Sequence, residues 1–168
     1  MHDYNMISDH HNHDDGYIAL VNIDLGELPP TLTIGEYELT RKSEFHISLV
    51  CTKKIAPLID AENTSVIEAE IVEAFKDFIK TTPLTDYQIT NQYRLVRRDE
   101  RATLVVLATV PAIEDFFALL EKKYDTKLPV QVTHITLYTL QPEVGIGIIS
   151  QEDLARLSEP VDISLSIT

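Results

Sequence analysis

Two stretches with a helical apolar period, 65–80 and 111–124, stand among short runs of period two, and the two kinds do not alternate one for one. That order excludes a parallel β-α-β sheet and predicts α+β with largely antiparallel pairing. In the first stretch Ile67, Ile71, Phe75, Phe78 and Ile79 form an apolar stripe, and Ser65 with Glu68 has the spacing of a capping box. In the second, Ile113, Phe116, Phe117, Leu120 and Tyr124 share a face behind Pro111, a residue suited to a helix's first position. Strand-like runs cover 17–25, 31–39, 44–50, 130–138 and 161–167. Two longer runs flank Asp99-Glu100 and read as an antiparallel hairpin, and Ser150 is placed to cap a short helix ending at Leu157. Each half of the chain holds strands and one good amphipathic helix, so two similar lobes are expected.

With 168 residues and 44% hydrophobic composition, one domain accounts for the chain. Residues 1–15 are polar, rich in His and Asp, and without periodic apolar positions, so they read as a disordered acidic tail ahead of a single domain over 16–168. No run approaches the ~18 apolar residues of a membrane helix, and the first residues lack the parts of a signal peptide. The lone Cys51 excludes an internal disulfide. A soluble, cytoplasmic, monomeric protein is the expectation. The net charge of −13 argues against a long nucleic-acid footprint, since polyanion binding needs Lys and Arg to neutralise several phosphates. Eight of the acids fall in residues 1–40, which hold no Lys or Arg. Basic residues gather at Arg41, Lys42, Lys53 and Lys54, and at Arg94, Arg97, Arg98 and Arg101, so a small anion or an RNA end fits better than a long duplex.

Of six histidines, four lie in residues 1–13 and two in the body, in near-identical surroundings: Phe45-His46-Ile47-Ser48-Leu49 and Thr133-His134-Ile135-Thr136-Leu137. Side chains two apart leave the same face of a strand, so each motif sets an imidazole beside a hydroxyl while the alternate apolar residues face a core. Imidazole titrates near neutral pH, so one copy can take a proton from a nucleophile while the other gives one to a leaving oxygen. The hydroxyls of Ser48 and Thr136 can donate to non-bridging phosphate oxygens. Tyr138 continues the His134 and Thr136 face in an ideal strand and is a substrate-stacking candidate.

These residues resemble the 2H phosphoesterase superfamily, which is named for two His-x-Ser/Thr motifs in apolar strands. His46-Ile47-Ser48 and His134-Ile135-Thr136 carry the resemblance. It implies a bilobal α+β fold, with two mainly antiparallel sheets and flanking helices around a central cleft, one motif per lobe. It also implies metal-independent, cofactor-free chemistry on 2′,3′-cyclic phosphates or 2′-linked phosphodiesters of nucleotides or RNA ends, with His46 and His134 catalytic and Ser48 and Thr136 binding phosphate. A non-catalytic nucleotide or RNA-end binding module with the same cleft is the rival reading.

Other features read more plainly. His10, His11 and His13 with Asp9, Asp14 and Asp15 have metal-ligand chemistry but nothing that fixes their geometry, so a solvated tail is expected. Cys51 falls on the apolar face and reads as core. The Arg94–Arg101 cluster reads as a solvated hairpin end, with Arg94 or Arg98 as the side chains that would reach phosphate. Gly145 and Gly147 permit a close backbone approach or a tight turn.

Overall fold

The computed structural model describes residues 6–14 and 16–167. Nine strands and four helices follow in the order β1 (His11–Asp14), β2 (Tyr17–Leu20), β3 (Thr31–Ile34), β4 (Tyr37–Arg41), β5 (Ile47–Val50), α1 (Thr52–Ile59), α2 (Thr64–Phe78), β6 (Gln88–Arg98), β7 (Arg101–Thr109), α3 (Ile113–Tyr124), β8 (His134–Thr139), α4 (Gln151–Leu157) and β9 (Ser158–Val161). The fold is α+β with every strand pair antiparallel. None of these helices is long and apolar enough to cross a membrane.

The two sheets expected from the sequence are joined into one of nine strands, in the order β1-β2-β5-β8-β7-β6-β9, with β4 on β8 and β3 on β4. The join is narrow. β5 meets β8 through one register pair, Ile47 with Ile135, and β4 takes over the same edge of β8 at Thr40↔Thr139 and Arg41↔Tyr138. Successive residues along β6 and β7 divide the core between the two faces: Leu95, Leu104 and Val106 join the larger cluster, which includes Ile71, Phe75, Phe116 and Phe117 of α2 and α3. Val96 and Val105 face the other way, into a smaller cluster with Val132, Ile146, Ile148 and Leu154.

Several local expectations are met. β6 and β7 turn at Asp99 and Glu100, with Asp99 at a positive φ of 56°, and Ser150 Oγ accepts from Asp153 N at 3.1 Å as the cap of α4. Others are corrected. The run 31–39 is a hairpin, because Gly35 with φ +57° occupies the first central position of a two-residue turn between β3 and β4. No capping box forms at α2: its N-cap is Asn63, and Glu68 is drawn to the Thr52 hydroxyl at 3.1 Å. Pro111 precedes α3, whose N-cap is Ala112 in the left-handed region, and the last strand ends at Val161. α1 has no counterpart among the expected elements; Pro57 lies inside it, and it is buried through Thr52, Ile55 and Ala56.

The disordered segment expected over 1–15 is corrected within its described part. Residues His11–Asp14 pair with Tyr17–Leu20 in full register, and His11 is 1% exposed. Its Nδ1 accepts from the Ser8 hydroxyl at 2.8 Å, its Nε2–H donates to Leu84 O at 3.1 Å, and its ring meets Phe75 edge-on at 5.2 Å. A polar residue thus anchors the strand in the core by having both ring nitrogens satisfied.

Candidate functional site

His46 is the residue before β5 and Ser48 is its second, while Ile47 and Leu49 are fully buried on the opposite face. On β8, His134 and Thr136 flank the fully buried Ile135. An antiparallel register centred on Ile47↔Ile135 sets Ser48 across from His134 and His46 across from Thr136. All four motif side chains line one cavity of about 740 Å³, on the sheet face away from α2 and α3. That volume lies within the usual range of small-molecule sites, roughly 300–1,000 Å³.

The two imidazoles differ in setting. His134 is 5% exposed, whereas His46 is half-buried. His134 Nδ1 lies 2.8 Å from Val132 O. A carbonyl can only accept, so Nδ1 carries the hydrogen and the neutral ring leaves Nε2 bare. Burial lowers the pKa of His134, opposed by that carbonyl. Burial also carries His46 down to about 4, helped by Lys42 and His134 and opposed by Asp14. Both rings are therefore predominantly neutral at pH 7.

This electrostatic state has a measurable consequence. The unfolded chain takes up a proton at each of these histidines near pH 6.5, whereas folded His46 holds out to about 4. Its contribution to stability is complete above pH 6.5 and is lost as the pH falls to about 4. His11 and His134, also lowered, act in the same direction. Thermal unfolding should show a midpoint that falls between pH 6.5 and 4, less steeply in His46→Asn; an identical pH slope in that variant would contradict the assignment.

Other cavity walls had no clear signal in the sequence. β1 and the residues before it contribute Ser8, Asp9, Asn12 and Asp14, though nothing periodic marks them. Lys42, one member of a basic cluster visible in the sequence, lines the cavity and is held next to β8 by its backbone N–H donating to Leu137 O at 2.9 Å. The segment 143–148 forms another wall. Glu143, at a positive φ of 65°, accepts from Ser43 N at 2.8 Å and from the Ser43 hydroxyl at 3.2 Å, a tie across the cavity between distant parts of the chain. Gln131 Nε2 donates to Ile148 O, while its Oε1 is buried with no hydrogen-bond partner among the described residues. Gly147 is needed for approach: a Cβ there would lie 2.9 Å from the Tyr17 hydroxyl.

Three expectations change. Tyr138 is not a cavity residue: its ring is fully buried and its hydroxyl donates to Pro29 O at 2.7 Å. The cause is a β-bulge, since Val105 pairs with Thr136 and Leu104 with Tyr138, leaving Leu137 as the extra residue and shifting the alternation. Arg94 is engaged by Ser158, through Nε to Oγ at 2.7 Å and Nη2 to the backbone O at 3.2 Å, and neither it nor the exposed Arg98 lines the cavity. The amino-terminal histidines diverge: His11 is held by Ser8 and Leu84, and His13 Nε2 by the Thr52 hydroxyl at 2.9 Å. Cys51 is buried, and burial pushes its thiol pKa up. No protein-family model, curated protein or solved structure matches the chain.

Proposed function

We propose that this protein is a 2H-type, metal-independent phosphodiesterase acting on 2′,3′-cyclic phosphate or 2′-linked phosphodiesters of nucleotides or RNA ends. The observation that carries the reading is the convergence of His46, Ser48, His134 and Thr136 on one cavity. In this proposal the two halves of the sheet act as lobes meeting at the β5–β8 join, and the molecule works as a cytoplasmic monomer. Ser48 and Thr136 donate to the non-bridging oxygens. His46, whose protonated form Lys42 disfavours, takes a proton from water as the water oxygen bonds to phosphorus. His134, its ring fixed by the Nδ1–H on the Val132 carbonyl, takes up a proton at Nε2 when the anion is bound and gives it to the ribose oxygen as the P–O2′ bond breaks. The bound anion supports the imidazolium that this step requires.

Purified protein should open 2′,3′-cyclic nucleotides to monoesters at the same rate with and without chelator. Loss of the rate in chelator, restored by zinc, would refute the mechanism. The rival reading, a binding module that does not turn substrate over, draws on the lowered pKa values of both histidines, which disfavour a charged acid at pH 7. Binding of the cyclic nucleotide without opening it would select that reading.

A further inference from the structure

We infer that the cavity selects a small phosphodiester carrying a single negative charge, a mononucleotide-type ligand, and rejects the same group at the end of an RNA strand. The inference rests on the proposed function and narrows its substrate class. Among the described residues, four carboxylates line the cavity, Asp9, Asp14, Glu44 and Glu143, against one lysine, Lys42, and no arginine. Both motif histidines are neutral there at pH 7. One phosphodiester charge can be met by Lys42 and by the hydroxyls of Ser48 and Thr136 at the centre. Each further phosphate of a strand leaving the cavity would pass acids at the rim, where Asp9 and Glu44 are exposed. Within a Debye length, about 10 Å at 0.1 M salt, such like charges repel with little screening.

The walls act in the same sense. β1 stands on one side, and the segment 143–148 is tied across to Ser43 by Glu143. Of the basic side chains beyond Lys42, Arg94 is spent on Ser158, Arg97 pairs with Glu159 at 3.3 Å, Arg101 donates to the Gly145 carbonyl at 3.4 Å, and Lys54 stands beside Gly147 in the 143–148 wall. A protein that binds a strand by its backbone places Lys and Arg along the phosphates, and here the lining has the opposite sign.

The test compares a 2′,3′-cyclic mononucleotide with a short RNA oligonucleotide ending in the same cyclic nucleotide, by kcat/KM and by equilibrium binding, at low and high salt. The mononucleotide should be preferred by roughly tenfold or more at low salt, with the gap narrowing as salt rises. In Asp9→Lys/Glu44→Lys, with folding checked by thermal unfolding, the RNA end should gain roughly tenfold relative to the mononucleotide at low salt. Should that variant fail to fold, the salt dependence of the unaltered protein decides. Equal or better handling of the RNA end, a gap indifferent to salt, or binding of neither ligand overturns the inference. If neither ligand is turned over but the mononucleotide still binds in preference, the hydrolase reading fails and the selectivity stands.

Discussion

Turnover of a 2′,3′-cyclic nucleotide should fall by roughly 10²- to 10⁴-fold when either His46 or His134 is replaced, the range lost with a positioned acid or base. The two positions call for different substitutions. His46 is half-buried and, among the described residues, no backbone carbonyl bonds its ring, so His46→Ala should leave folding nearly intact. His134 is buried and its Nδ1–H satisfies Val132 O, so alanine there would strand a carbonyl as well as remove a proton donor. His134→Asn retains an amide N–H near that carbonyl, which gives a cleaner reading of chemistry against stability. Kinetics and thermal unfolding on both variants check this together. Near-normal rates in either would remove paired-histidine catalysis from consideration, and a loss that tracks the melting temperature would reassign that residue to structure.

The second large effect belongs to the hydroxyls. Ser48→Ala and Thr136→Val each delete a donor while keeping a side chain compatible with a strand, and both positions are only half-buried, so stability should change little. Catalysis should drop by roughly 10- to 1,000-fold for each, by analogy with removal of an oxyanion-hole donor. Because Ser48 stands across from His134, and Thr136 across from His46, the two hydroxyls flank the same space from different strands. The double variant should therefore depart from the product of the single effects, as groups acting on one phosphate do. Unchanged rates in the three proteins would sink the phosphate-holding role.

What could be read in the sequence was what local periodicity encodes. α2 and α3 carry apolar stripes long enough to be unambiguous, and the β6–β7 hairpin has matched runs around a turn. The two motifs were legible because β5 and β8 keep strict alternation from His46 to Leu49 and from His134 to Thr136. Beyond Thr136 the bulge at Leu137 ends that period, which is why Tyr138 turned into the core. β1 was hidden for a different reason. His11-Asn12-His13-Asp14 has no apolar residue to announce a buried strand, and its anchor depends on Phe75 and on the carbonyl of Leu84, far along the chain. Glu68 shows a similar override, since the capping spacing with Ser65 was real but Thr52 and His13 were nearer claimants. Half of the cavity's acidic lining, Asp9 and Asp14, follows from this placement of the first residues, and they join Glu44 and Glu143 from distant parts of the chain, so the set could not be assembled from sequence neighbours.

The pairing of Ile47 with Ile135 acts as a ruler. Both side chains are fully buried among core residues on the face opposite the cavity, yet they fix how far apart the two strands carry their imidazoles. A methyl group gained or lost there touches neither histidine. It would nonetheless change the gauge between two groups that, in the proposed mechanism, must reach one phosphorus atom, where a misplacement of about 1 Å can cost 10²-fold in rate. Under the proposed function, the tolerance of the chemistry is therefore written into hydrocarbon packing, on the side of the sheet opposite the cavity.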